Sequence, residues 1–231
     1  MAKHLDLEEQ EQLDELKHFW KQYGNLITWS LIAVLSAFAV WNGYQYWQRN
    51  QAAQAAVMYD EVERALKSGD LARVDRSFAD MKDRFSRTTY AQQAGLLAAR
   101  ANYDKGNVDA SRAALTWVAE KSSDEGYQAI AKLRLAGLLL DKKSYDEALQ
   151  QLSGNFPKDF AALAADRRGD ILVAQGKKTE ARAEYEKAYS GLEDRVEYRR
   201  LVEVKLNALG VDPTANQAKL AEAASTSGVN K

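Results

Sequence analysis

The stretch Gly169–Ala188 reads GDILVAQGKKTEARAEYEKA and determines the expected fold. Small and apolar residues recur at helical spacing on both sides of a turn at Gln175-Gly176-Lys177. Small side chains at Gly169 and Ala181 allow the paired helices to approach closely, and Tyr185 is expected to fill the gap between neighbouring hairpins. The stretch therefore predicts a helical hairpin.

The same hairpin pattern recurs earlier in the chain, with Val74, Ser111 and Ala148 in the position of Ala181. The intervals lie near the ~34 residues of a tetratricopeptide repeat. Four such hairpins suffice for a stacked solenoid. A closing helix is expected over Arg195–Leu209, with its apolar positions at Val196, Leu201, Val204 and Leu209. The predicted class is all-α, a single N-terminal transmembrane helix followed by a tetratricopeptide-like α-solenoid.

The segment Gln22–Gln48 carries no charged residue and is mostly apolar. A helix of about 20 such residues crosses the hydrocarbon core of a bilayer. Aromatic residues prefer the membrane interface, and they crowd both ends of this segment, at Trp20, Tyr23, Trp41, Tyr44, Tyr46 and Trp47. A cleaved signal peptide with its site at Ala37-Phe38-Ala39 is the alternative. The apolar run continues past that site, which favours an uncleaved signal anchor.

Basic residues near the segment favour one orientation. Lys3, Lys17 and Lys21 precede it, whereas only Arg49 follows closely. The N-terminus is therefore expected in the cytoplasm, as in a single-pass type II protein of a bacterial inner membrane. The expected regions are a cytoplasmic, acidic and amphipathic segment (1–21), the transmembrane helix (22–48), a periplasmic repeat domain (49–209) and a disordered tail (210–231).

Composition excludes several kinds of chemistry. The chain has no cysteine, and both histidines, His4 and His18, precede the apolar segment. The repeat domain thus lacks the usual nucleophiles, bases and transition-metal ligands, so we expect no enzyme, cofactor or metal site. Asp166 and Asp170, at i and i+4, are the best carboxylate pair, and a solvated helix face is favoured over catalysis. A net charge of −1 gives no reason to expect nucleic acid as a partner.

A groove is the expected binding feature, because the first helix of each tetratricopeptide hairpin lines the concave face. An extended apolar polypeptide segment could bury its surface there. The alternative is that the closing helix or a neighbouring molecule fills the groove as part of a core. The residues expected on this face are Gln93, Leu96, Arg100, Tyr103, Ile130, Leu133, Gly137, Leu140, Leu163, Asp166, Asp170 and Val173.

The order of several segments resembles the bacterial ancillary SecYEG translocon subunits, a family of tetratricopeptide-like inner-membrane proteins. The resemblance lies in Leu16–Gly24 entering the apolar segment, Gly43–Trp47 leaving it, Asp166–Asp170 with Gly176-Lys177, and Val204–Leu209. It covers the chain from about Glu9 to Leu209.

The resemblance implies a non-enzymatic protein in contact with the lipid bilayer and associated with the SecYEG translocon. It further implies a second partner, a membrane-anchored periplasmic chaperone of the prolyl-isomerase type. The expected role, as holdase or chaperone adaptor, is to help pass unfolded or nascent exported polypeptides to periplasmic chaperones. A structural scaffold for another envelope complex is the alternative.

Overall fold

The computed structural model describes residues 7–193 and 197–213 of the chain. These residues form helices and no strand, which confirms the all-α class. The helices are α1 (Leu7–Ser68), α2 (Leu71–Phe85), α3 (Thr89–Asp104), α4 (Val108–Lys121), α5 (Glu125–Asp141), α6 (Tyr145–Gln151), α7 (Lys158–Ala174), α8 (Lys178–Gly191) and α9 (Glu197–Ala208).

The chain divides into two compact units, Met1–Ala53 and Gln54–Lys231. Helix α1 supplies the apolar segment of the first unit. It contains an 18-residue window of mean hydropathy 1.6, of which 6% is buried. Within the described residues, α1 is the one helix that could cross a membrane by length and composition. All six aromatic residues expected at the membrane interface are exposed, namely Trp20, Tyr23, Trp41, Tyr44, Tyr46 and Trp47.

The apolar segment and the first helix of the repeat domain belong to one helix. The predicted boundary after Gln48 falls inside this helix, because α1 continues without a break to Ser68. The residues after the predicted boundary include Ala52, Ala53 and Ala55, and alanine is the strongest helix former. Ala55, Val62 and Ala65 are buried in the first core cluster of the second unit.

Each hairpin of the second unit turns through one residue of positive φ. These residues are Gly69, Gly106, Lys143 and Gly176, with φ of 71°, 80°, 60° and 77°. The backbone N–H after each turn returns to a carbonyl of the last helical turn, as at Ser144 N to Leu139 O (2.9 Å) and Lys177 N to Leu172 O (2.9 Å). This Schellman arrangement satisfies carbonyls that would otherwise be left without partners.

The first core cluster depends on small residues that admit aromatic rings. Phe78 lies edge-on to Trp117, with 5.4 Å between ring centroids. A Cβ at Gly95 would lie 2.6 Å from Val118 Cγ2 and 3.1 Å from the Phe78 ring. Because that space is already filled, α3 approaches α2 and α4 as closely as it does only with glycine at position 95.

The second core cluster joins α7 and α8 to the closing helix α9. Ala181, as the repeat alignment predicted, is fully buried there, together with Tyr185 and Ala188. The buried face of α9 carries Val202 and Leu206, whereas Leu201 and Val204 are exposed. The expected apolar positions at Leu201 and Val204 were therefore wrong, whereas Leu209 packs against the second core cluster as expected. Polar contacts of α9 described below fix its rotation.

The end of the second unit extends beyond the predicted boundary at Gly210. Val211 is buried in the second core cluster, and its N–H donates to Leu206 O at 3.0 Å. Pro213 is also buried. The rest of the tail expected to be disordered, residues 214–231, lies outside the described residues, as do Arg195 and Val196.

Two glycines inside helices give a stability test. At Gly169, a Cβ would overlap the ring of Tyr185, whereas at Gly137 it would lie 3.8 Å from Arg167 Nη1, an ordinary contact. Overpacking lowers the free energy of unfolding by about 1–3 kcal/mol. Replacing glycine by alanine inside a helix raises it by up to about 1 kcal/mol, because alanine has the higher helix propensity. We expect Gly169→Ala to lower the free energy of unfolding by about 1–2 kcal/mol.

The measurement is denaturation of the full chain in detergent micelles, followed by circular dichroism. Gly137→Ala is the matched control and should leave the free energy of unfolding unchanged or slightly raised. Equal stabilities of the two variants would contradict the close approach of α7 and α8 at Gly169.

Candidate functional site

Five polar residues join α7, α8 and α9 in what we call the carboxylate cluster: Asp166, Asp170, Tyr185, Tyr198 and Lys205. Lys205 Nζ donates to both oxygens of Asp166, at 2.8 Å each, and to Asp170 Oδ1 at 2.6 Å. The Tyr198 hydroxyl donates to Asp166 Oδ2 at 2.6 Å. Tyr185 of α8 donates to Asp170 Oδ1 at 2.9 Å. Asp166 is only 1% exposed, and these contacts compensate for its burial.

The tyrosines of this region remain protonated donors. Burial, and secondarily the charge and hydrogen bond of Asp170, raise the pKa of Tyr185 well above its usual value. Burial together with Asp166 raises the pKa of Tyr198 in the same way. Each hydroxyl therefore keeps the proton that it donates to a carboxylate. The cluster holds α9 against α7, so Asp166 and Asp170 are engaged in the packing of the domain.

Removal of the cation should test the carboxylate cluster. Loss of one partner from a fully buried ion pair costs about 3–5 kcal/mol. The Lys205 side chain keeps 22% of its exposure, so we expect Lys205→Met to lower the free energy of unfolding by about 2–3 kcal/mol. Denaturation of the full chain provides the measurement.

The matched control for Lys205→Met is Lys187→Met. Lys187 is 64% exposed and pairs with Glu184 at 2.6 Å. An exposed pair of this kind contributes about 1 kcal/mol or less. A Lys205→Met variant as stable as Lys187→Met would show that the cluster does not hold α9.

A second feature, which we call the central pocket, lies among α3, α4, α5 and α7 and has a volume of about 320 Å³. Buried Ser111 and Leu115 of α4 contribute to its wall. Four residues expected to share a groove face do meet here: Arg100, Tyr103, Leu133 and Gly137. The pocket also includes Ala99, Arg134, Leu138, Asp141 and Arg167.

The other expected groove residues lie elsewhere. Leu96 is buried, and Ile130 and Leu140 are partly buried against the first core cluster. The Gln93 amide donates to the Tyr127 hydroxyl at 2.7 Å. Leu163 is half-buried and Val173 is exposed on α7. With Asp166 and Asp170 in the carboxylate cluster, the closing helix covers the α7 end of the expected face.

Sequence reasoning missed Arg134, Asp141 and Arg167. On α5 it placed the face at Ile130, Leu133, Gly137 and Leu140, but the pocket also uses Arg134, Leu138 and Asp141. On α7 it chose Asp166, whereas Arg167 lines the pocket. Both shifts are one residue, about 100° around a helix. The i, i+3, i+7 spacing of Arg134, Gly137 and Asp141 was the available signal.

The charges of the central pocket are unevenly paired. Arg100 binds its neighbour Asp104 at 2.8 Å, and the Tyr103 hydroxyl donates to Asp141 Oδ2 at 2.7 Å. Within the described residues, Arg134 has no ion pair or hydrogen bond. Arg134 as a whole is exposed to solvent. The pKa of Arg134 is nevertheless lowered, first by desolvation of its guanidinium and second by the charge of Arg100. Its charge is therefore available to a ligand.

No metal centre is found among residues 7–193 and 197–213, since no group of three or more His, Cys, Asp or Glu side chains is placed to hold an ion. The central pocket offers apolar walls and guanidinium groups. That combination suits the binding of a ligand that is partly apolar and partly anionic.

Stacked hairpins with glycine turns and a closing helix define the class of the second unit, a tetratricopeptide repeat-like domain. A family model described as "Tetratricopeptide repeat-like domain" matches residues 17–211, and so includes the apolar part of α1. Comparison with solved structures found no match.

Similar proteins of known family show which tetratricopeptide repeat-like proteins this chain is related to. The chain is 33% identical over 213 residues to a protein of Neisseria gonorrhoeae, covering 90% of this chain and 100% of the relative. It is 30% identical to one of Haemophilus influenzae (88% and 98% covered) and 26% identical to one of Escherichia coli K12 (88% and 97%). Each relative is named "Ancillary SecYEG translocon subunit". The chain belongs to this family.

Proposed function

We propose that this protein is a single-pass subunit of a bacterial inner membrane that associates with the SecYEG translocon. The names of its relatives support the association. The exposed apolar surface of α1 supports the membrane anchor, because an unburied helix of this hydropathy is stable only when another apolar phase covers it.

The proposed orientation places the N-terminus in the cytoplasm and the repeat domain in the periplasm. Lys3, Lys17 and Lys21 before the apolar segment, against Arg49 after it, support this orientation. The repeat domain would then stand where exported chains leave the channel.

The orientation can be tested with single cysteines, because the chain has none of its own. Gln12 and Ser123 are both exposed, so Gln12→Cys and Ser123→Cys report on the two sides. In intact spheroplasts, a membrane-impermeant maleimide should label Ser123→Cys and spare Gln12→Cys until the membrane is permeabilised. The reverse pattern would overturn the orientation.

The function that the geometry supports best is the binding of extended polypeptide segments in the central pocket. The observation that carries it is that α9 covers the α7 end of the first-helix surface, while the pocket stays accessible beside Tyr103, which is 43% exposed. Exported chains would bind there as they emerge. They would then pass to a membrane-anchored periplasmic chaperone of prolyl-isomerase type, the second proposed partner.

A membrane anchor suits such a role because weak sites gain from a high local concentration. A pocket of this size contacts only a few side chains, so its intrinsic affinity for an unfolded chain is expected to be low. Retention beside the channel raises occupancy without any additional contact. Low affinity also allows the chain to move on to a chaperone.

Photo-crosslinking in native membranes tests the proposed function. A photoreactive amino acid replaces Trp41 in the apolar segment, Tyr103 in the central pocket, or Ala183, an exposed residue of α8 outside the pocket. We expect translocon subunits at position 41, and exported chains or the chaperone at position 103. Position 183 should give neither in comparable yield.

Other patterns would contradict the proposal. Exported chains captured equally at positions 103 and 183 would show that the pocket is not the binding site. Capture of an unrelated envelope complex at both positions 41 and 103 would favour the scaffold role instead.

A further inference from the structure

The central pocket carries more positive than negative charge. Its charged lining consists of Arg100, Arg134, Arg167 and Asp141, three cations and one anion. Arg100 shares its charge with Asp104, and Asp141 accepts the Tyr103 hydroxyl. Arg134 has no ion pair or hydrogen bond among the described residues, and desolvation and then the like charge of Arg100 lower the pKa of Arg134. The excess charge is therefore centred on Arg134.

Arg167 adds to this excess. Its Nη1 lies 3.7 Å from Asp170 Oδ2, a loose contact. Asp170 already accepts hydrogen bonds from Lys205 and Tyr185 through its other oxygen, so it neutralises Arg167 only in part. Gly137 leaves the space in front of Arg167 open, since a Cβ there would approach its Nη1 at 3.8 Å.

The walls between these cations are apolar. Ala99, Leu115, Leu133 and Leu138 line the pocket beside the guanidinium groups. Apolar walls exclude water and so strengthen a charge-assisted hydrogen bond formed between them. A guanidinium also presents paired N–H donors in the fork geometry that matches a carboxylate.

We infer that the central pocket binds an acidic side chain within an extended, otherwise apolar polypeptide segment, with Arg134 as the principal donor to the carboxylate. Leu115 and Leu133 contact the apolar residues on either side. This inference rests on the proposed function and adds the chemistry of the segment. An internal carboxylate is the occupant because a translocating chain presents internal residues long before its C-terminus leaves the channel.

The test is peptide binding to the full chain in nanodiscs, measured by fluorescence anisotropy. The probe is a labelled, terminally capped ten-residue peptide of Gly, Leu and Val with one central Glu. A second probe has Gln in place of Glu, and a third has the Gln sequence with a free C-terminal carboxylate. The native chain should bind the Glu probe about tenfold more tightly than the capped Gln probe. One charge-assisted hydrogen bond contributes about this difference in affinity.

Two arginine variants locate the preference. Arg134→Gln should reduce the ratio of Glu to Gln affinity to about two or less, because the guanidinium that favours the carboxylate over the amide is removed. Arg182→Gln is the matched control, because Arg182 is an exposed residue of α8 that pairs with Glu186 outside the pocket. It should keep the native ratio. Circular dichroism confirms that both variants retain their helices.

The outcomes separate this inference from the proposed function. Equal binding of the capped Glu and Gln probes would overturn the carboxylate preference and leave polypeptide binding intact. Failure of every probe to bind would count against the proposed function itself. Tighter binding of the free C-terminal probe than of the Glu probe would overturn an internal carboxylate as the occupant. An unchanged ratio in Arg134→Gln would remove Arg134 as the donor.

Discussion

The close approach of paired helices is the constraint on which the second unit depends. At Gly169 the ring of Tyr185 occupies the space where a side chain would otherwise project, and at Gly95 Val118 and Phe78 do the same. The contact at Gly169 sets how closely α7 and α8 pack, and the contact at Gly95 sets how closely α3 packs against α2 and α4. Once the pairs are fixed, the next hairpin can stack on them, because a repeat protein gains its stability from nearest neighbours. The pocket and the carboxylate cluster are both consequences of this stacking.

Local signals made the hairpins predictable from the sequence. Small residues at fixed spacing and turns at Gly69, Gly106 and Gly176 act within one or two helical turns, so the pattern alone locates them. The face of α9 and the exact lining of the pocket were not predictable in this way. The face of α9 depends on Lys205 and Tyr198 meeting Asp166 from more than thirty positions away in sequence. The lining of the pocket depends on how four separate helices pack together. The buried carboxylate of Asp166 determines which face of α9 packs inward, and a hydropathy pattern does not reveal such a contact.

The surface made by the first helices thus has two different ends. At α7, buried charged groups hold the closing helix in place. This helix fills the groove there, as the alternative interpretation of the sequence predicted. Around α3 and α5 the pocket stays accessible, and Arg134 in its lining has no acidic partner among the described residues. The groove is therefore part of the core at its α7 end and an accessible surface around α3 and α5. This division is why residues predicted as one set fall into separate environments.

The hairpin turn at Lys143 differs from the other three. Three of the four hairpin turns place glycine at positive φ, but this turn places a lysine at 60°, and a left-handed conformation costs a non-glycine residue about 1 kcal/mol or more. The helix that follows, α6, spans only seven residues. Its Leu149 nevertheless packs against both core clusters. Opening of this one short helix would remove the contacts of Leu149 with both clusters, while Ile171 would keep α7 in the first cluster. Amide hydrogens of α6 should therefore exchange faster than those of α5 and α7, without separation of the two halves of the array.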